Sequence, residues 1–214
     1  MTLVYKQTTN QNENVVIFSA IDGLPENLIE DALSESQQWY DCNTETTYQP
    51  SPTSITRLNQ KCRPPEEGFL KCNTDGSWSK EKAASGIGWI LKNHHGLVVH
   101  MRAKCLPQLI SPTHVEAAAL VWAINCVTNL GYNKVIFEAD STNLIQAINH
   151  PQSWPSLHSF TSDILGMSNG FSDFSFKFFN RNGNSCADVI VKAANGECLS
   201  FTILFVLPPA SAFG

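Results

Sequence analysis

The sequence predicts a mixed α/β domain over about residues 68–196, preceded by an acidic leader (1–67) and followed by a short apolar tail (197–214). Three observations carry this reading. Three β-patterned runs joined by short turns stand first, as in an antiparallel meander. A long apolar-periodic run with a Ser-Pro start and a Gly stop follows them. Helix and strand patterns then alternate to residue 194, which is how α/β sheets are written.

The elements run in this order. Phe69 to Ser77 is a first strand, Gly86 to Lys92 ("GIGWILK") a second, and Leu97 to Ala103 a third, with "NHHG" as the turn between the last two. Ser111 suits an N-cap and Pro112 the first helical position, so a helix opens there and runs to Leu130, where Gly131 stops it. Lys134 to Ala139 ("KVIFEA") is a fourth strand. Leu144 to Ile148 starts a short helix, and Pro155 to Met167 is another, with Leu157, Phe160, Ile164 and Leu165 at helical spacing. Phe174 to Phe179 is a fifth strand, and Asn184 to Ala194 a last helix. In the leader, Pro25 to Tyr40 carries Leu28, Ile29, Ala32, Leu33 and Trp39 at helical spacing, and residues 41–67 read as a polar linker. The tail, "CLSFTILFVLPPASAFG", is too apolar for a free end and is expected to pack back on the domain or to form an irregular end.

Charge is unevenly spread. Residues 1–67 hold four Lys/Arg and ten Asp/Glu, whereas residues 68–196 hold ten and eight. The domain is thus only mildly basic, which argues against strong non-specific nucleic-acid binding but not against a local site. The seven cysteines include no Cys-x-x-Cys pair and no His at zinc-finger spacing, and they read as reduced intracellular thiols. Residues 1–20 lack the basic start and apolar run of a secretory signal, and Cys198 to Leu207 is far shorter than the ~20 residues of a membrane span. The expectation is an intracellular protein, nuclear or cytoplasmic, with no membrane segment.

Four carboxylates invite attention, each with an ordinary alternative. Asp75 stands in a strand pattern that disfavours it, although Asp75-Gly76 would also suit a strand-end turn. Glu116 shares a helical stripe with Leu120, Ala123, Val127 and Leu130, or is a first-turn Glu favoured by the helix dipole. Asp140 ends the fourth strand, where α/β sheets place ligands, or it caps the next helix in competition with Ser141. Asp188 could be a plain first-turn Asp. Taken together, clustered carboxylates repel one another, and a fold keeps such a cluster when divalent cations neutralise it. Oxygen ligands suit Mg²⁺.

The motifs "CNTDGSW", "GIGWIL", "SPTHVEAAAL", "VIFEADSTNLI" and "RNGNSCADVIVKAA", in that order, make residues 68–196 resemble ribonuclease H type 1, and most closely the ribonuclease H-like domain of plant retroelement reverse transcriptases and related plant proteins. The leader's "RPPEEGFLKCNTDG" fits the linker that often precedes that domain. The resemblance implies a ribonuclease H-like fold: a five-stranded mixed sheet, its first three strands antiparallel, with helices on both faces. It implies that Asp75, Glu116, Asp140 and Asp188 bind two Mg²⁺ ions, with Mn²⁺ as a substitute, and cut the RNA strand of RNA–DNA hybrids. It implies a nucleic-acid partner and a monomer. Proofreading-type exonucleases begin with Asp-x-Glu, but Gly76-Ser77 follows Asp75 here, and integrases place their Glu last.

Two departures favour an alternative, a retroelement-derived remnant that keeps the fold and at most binds nucleic acid. Phe178 falls where the active enzymes carry a loop His, to which product release or leaving-group protonation is ascribed. Ser141 to Phe176, where many cellular forms carry a basic protrusion, has no Lys or Arg. His94-His95 reads as a solvated turn, His114 as a helix-face residue, Asn184 as a helix cap, and Trp78, Trp89 and Trp122 as core.

Overall fold

The computed structural model describes residues 14–19, 63–180, 187–188, 190–192 and 201–206. The leader helix expected over 25–40, the linker up to residue 62, and Arg181 and Asn184 lie outside them. The described elements are β1 (Asn14–Ser19), β2 (Leu70–Ser77), β3 (Ala84–Lys92), β4 (Val98–Pro107), α1 (Pro112–Asn129), β5 (Lys134–Ala139), α2 (Thr142–Asn149), α3 (His158–Ser168), β6 (Asp173–Phe178) and β7 (Phe201–Val206). Residues 187–188 and 190–192 are also helical.

The five expected strands form one mixed sheet in the order β4-β3-β2-β5-β6. β2, β3 and β4 are antiparallel neighbours, and β5 runs parallel to both β2 and β6. Two further strands extend it beyond β4. β7, from the apolar tail, pairs antiparallel with β4, and β1, from the leader, pairs antiparallel with β7. Residues 201–206 of the tail thus join the sheet; a strand in the leader was not foreseen.

Two glycines show how helices cover both faces. A Cβ on Gly76 would lie 2.7 Å from Val115 Cγ1 of α1, and a Cβ on Gly88 would lie 2.6 Å from Val191 Cγ2 of the last helical segment. Gly88 pairs with Asp75, the residue next to Gly76, and alternate residues of a strand point to opposite faces. The two helices therefore sit on opposite sides of the sheet. On the α1 side the core joins Trp89, Leu91 and Phe137 of the sheet to Leu120, Ala123, Ile124 and Val127 of α1, with Leu144, Leu157 and Ile164 beyond. Ala187, Ile190 and Val191 are buried on the other.

Local chemistry explains the boundaries. Ser111 is the N-cap of α1, its Oγ accepting from the His114 amide, with Pro112 in the first turn. Gly131, at φ +82°, ends it in a conformation that L side chains rarely adopt. β4 continues four residues beyond the expected Ala103, because its partner β3 starts early, at Ala84, and pairs with Pro107.

Candidate metal-binding carboxylate site

Asp75 is inside β2, paired with Gly88, and the strand continues to Ser77, so the strand-end turn reading is set aside. Lys71, Asn73 and Asp75 are all buried and occupy alternate positions of β2, on the face that the last helix covers. Beneath Asp75, Asn73 donates to Glu138 Oε2 at 3.0 Å, and Lys71 Nζ lies 3.4 Å from the same oxygen. Lys71 also donates to the carbonyl of Arg63. A polar stripe thus runs under the site, held by a buried ion pair. Glu138 was not singled out from the sequence, although its spacing of two from Asp140 carried the signal.

Glu116 arrives from the other side of the sheet. Gly76 has no side chain, so the second turn of α1 comes against β2, and the Gly76 amide donates to Glu116 Oε1 at 3.2 Å. The second oxygen, Oε2, is buried and has no hydrogen-bond partner among the described residues. Such an atom is costly to bury unless something else completes it. The helix-dipole reading explains little here, since Glu116 is buried and no acidic residue occupies the first turn of α1.

Asp140 follows the last residue of β5. The competition for the cap of α2 goes to Ser141, whose Oγ accepts from the Leu144 amide at 3.3 Å. Ligand oxygens of Asp75, Glu116 and Asp140 all lie within 4.8 Å of one another. Burial, then the neighbouring charges of Asp75 and Asp140, push the Glu116 carboxyl well above the usual carboxylate range. An all-oxygen set of three carboxylates with an unsatisfied buried acceptor fits a hard divalent cation such as Mg²⁺ or Mn²⁺.

Asp188 is not part of that group. Its carboxylate pairs with Lys192, one turn along the same helix, at 2.5 Å. Phe178 is not in a loop: it is the last residue of β6, paired with Ala139 directly before Asp140, and it is 47% exposed.

The other expectations divide. Trp89 is fully buried, and Trp78 and Trp122 are half-buried and pack against the core, Trp78 donating to the Leu109 carbonyl and Trp122 standing edge-on to Trp89 with Arg102 and Lys104 over its ring. His94 and His95 lie in the turn between β3 and β4. His114 is on the first turn of α1, with Nδ1 2.7 Å from Ser111 Oγ and its ring edge-on to Phe160. No helix among the described residues is long and apolar enough to cross a membrane.

Residues 73–194, more than half of the chain, match the family model described as reverse transcriptase-like. Among solved structures, RNase H1 from the halophilic archaeon Halobacterium salinarum is 20% identical with a TM-score of 0.56, covering 61% of this chain and 99% of that one. The N-terminal RNase H domain of a Mycobacterium tuberculosis protein is 15% identical with a TM-score of 0.54, covering 61% and 95%. LC11-RNase H1, solved in complex with an RNA/DNA hybrid, is 19% identical with a TM-score of 0.53, covering 60% and 97%. At these identities the likeness is one of fold. No curated protein matches the chain.

Proposed function

The chain belongs to the reverse transcriptase-like family and has the ribonuclease H-like fold, and on that premise we propose that it is a divalent-metal-dependent endoribonuclease cutting the RNA strand of RNA–DNA hybrids. The observation that carries this reading is the convergence of Asp75, Glu116 and Asp140 on one point, with Glu116 Oε2 buried and unsatisfied. In this reading those three carboxylates hold the metal ions, Mg²⁺ or Mn²⁺, and Asp188 contributes from the last helix. The bound ions would supply an activated water and stabilise the leaving oxygen. The chain's own part is to fix the carboxylates in place. β2 and the Lys71–Glu138 pair hold Asp75 from below, the Gly76 amide orients Glu116, and Ser141 rather than Asp140 caps α2. Glu116 must give up its proton for the ions to bind, which makes loading favour higher pH.

The partner is an RNA–DNA hybrid, bound by a monomer. One neighbour of the same fold was solved with such a hybrid, which supports the choice. An intracellular location, nuclear or cytoplasmic, fits Cys72 and Cys126, two buried cysteines that form no disulfide. Residues 68–196 form the catalytic unit in this reading, with the leader and tail as additions.

A second reading has its own support. Phe178 provides no titratable group beside Asp140, and Ser141 to Phe176 holds no Lys or Arg to grip phosphates. A retroelement-derived remnant that binds nucleic acid without useful turnover would keep the fold and tolerate both. Incubation of a strand-labelled RNA–DNA hybrid with Mg²⁺ or Mn²⁺ separates the two, with Asp140→Asn as control. RNA cleavage lost in the variant supports the enzyme; binding without cleavage supports the remnant.

A further inference from the structure

Away from the carboxylates, α1 and the sheet leave a groove of about 420 Å³, lined by Ile87, Lys104 and Leu106 from the strands, Val121 and Trp122 from α1, and Phe160 from α3. Its floor is apolar and its rim is cationic. Lys104 Nζ lies 4.4 Å from the centroid of the Trp122 ring, and the Arg102 guanidinium carbon lies 5.6 Å from it. Among the described residues no carboxylate pairs with Lys104. A cation over the face of a half-buried Trp, on an apolar floor, is built to receive an amphipathic acidic partner.

The strand pairing says where such a partner comes from. Ser19, the last residue of β1, pairs with Phe201, which pairs with Ala103, the residue before Lys104. β1 therefore runs parallel to β4 and delivers the chain toward Lys104, two strand spacings, about 10 Å, away. Residues 20–41 follow at once and hold six Asp/Glu with no Lys or Arg. The five residues 20–24 can reach about 17 Å, enough to turn onto the α1 face. A helix over residues 25–40 would be about 24 Å long, close to the length of α1. Its stripe of Leu28, Ile29, Ala32 and Leu33 matches the apolar floor, and Glu26, Glu30, Asp31 and Glu35 stand ready for the rim.

We propose that this groove is the docking site of the chain's own acidic leader helix, residues 25–40, with Lys104 as its ion-pair partner. The leader thus joins the domain twice, as a strand in the sheet and as a helix against α1. The inference stands whether or not the carboxylates cut a hybrid.

Zero-length carbodiimide cross-linking of the full chain at high dilution, mapped by mass spectrometry, tests it. Lys104 should link to Glu26, Glu30, Asp31 or Glu35 within one chain. The double substitution Ile29→Asp with Leu33→Asp should lower that yield at least about tenfold and raise hydrogen exchange in 112–129. It alters no described core residue, and the wild-type cross-link tests the proposal by itself. Three results overturn it. One is that Lys104 links to nothing in 20–41 while Lys80 and Lys82 react normally. Another is that the links join isotopically distinct copies, which makes the occupant a second molecule. The third is that the leader substitutions leave exchange unchanged while a single-stranded oligonucleotide protects α1, which gives the groove to nucleic acid.

Discussion

The Gly76 amide donates to Glu116 Oε1 at 3.2 Å, joining the strand that carries Asp75 to the helix on the opposite face. That bond exists only because position 76 has no side chain. A Cβ there would lie 2.7 Å from Val115 Cγ1 and 3.0 Å from both the Glu116 nitrogen and the Val115 carbonyl carbon. Two of these are backbone atoms, so α1 itself must move. Gly76→Ala should cost about 1–3 kcal/mol and lower the melting temperature. Gly166→Ala, in α3 with nothing within 4 Å, should instead stabilise by about 0.5–1 kcal/mol. Thermal melts of the two variants beside wild type check the contrast, and equal effects would contradict the close-approach argument.

The Glu116 carboxyl gives the metal-free protein a pH dependence of known sign. Burial, then Asp75 and Asp140, raise its folded pKa above the ordinary 4.5. The folded state therefore holds the proton more tightly than the unfolded chain. The associated stability is fully present below the unfolded value and is lost as pH rises through the folded one. Melts in chelator between about pH 4 and pH 8 should fall on the alkaline side, and Glu116→Gln should flatten that fall. Adding Mg²⁺ should raise the wild-type melting temperature more at the higher pH, since binding expels the proton. A Glu116→Gln profile that parallels wild type would place the pH dependence elsewhere.

The three convergent carboxylates and Asp188 should differ in weight. Asp75→Asn, Glu116→Gln and Asp140→Asn each remove one of the proposed metal ligands, and under the proposed function each should lower hybrid cleavage by about 10²-fold or more. Asp188→Asn should cost less, because its carboxylate is already paired with Lys192. Single-turnover rates at saturating Mg²⁺ check the order. Wild-type cleavage by Asp140→Asn would refute the mechanism.

Phe178→His should raise turnover without a loss of stability. The ring is 47% exposed at the end of β6, so an imidazole there would be solvated rather than buried. It would stand beside Ala139, next to Asp140, with a pKa suited to proton transfer near neutrality. General acid–base help reaches about 10²–10⁴-fold at full effect, so partial gain is measurable. Steady-state kinetics and melts on both proteins decide; a lower melting temperature with no gain in turnover would show that position 178 serves packing alone.

Much of the domain was legible because its elements carry strong local signals. Ser111-Pro112 and Gly131 bracket α1, and "KVIFEA" is a strand to the residue. Asp75, Glu116 and Asp140 were legible as a set through the order of the surrounding motifs. Periodicity could not say that Ser141, not Asp140, caps α2, because both are good caps and only the fold decides between them. Gly76 looked like part of a strand-end turn, since a close approach depends on what lies across the sheet. Trp122 looked like core and does pack against it, edge-on to Trp89, but periodicity could not say that two cations would stand over its ring. "NVVIFS" of β1 is a short apolar run without alternation, which periodicity alone cannot assign.

The added strands also have a colloidal consequence. Without them β4 would be the rim of the sheet, ten residues long, with one row of amide and carbonyl groups open to any passing chain. β7 closes that row at His100 to Ala103, and β1 in turn pairs with β7. The stretch beyond it begins with Lys104 and ends with Pro107, residues that resist further strand addition. A fragment ending before Phe201 would therefore keep the five central strands but recruit copies of itself edge to edge, with turbidity rising as its concentration is raised. The apolar tail, which looks like a liability for solubility, covers the edge of β4 and passes the rim of the sheet to the shorter β1.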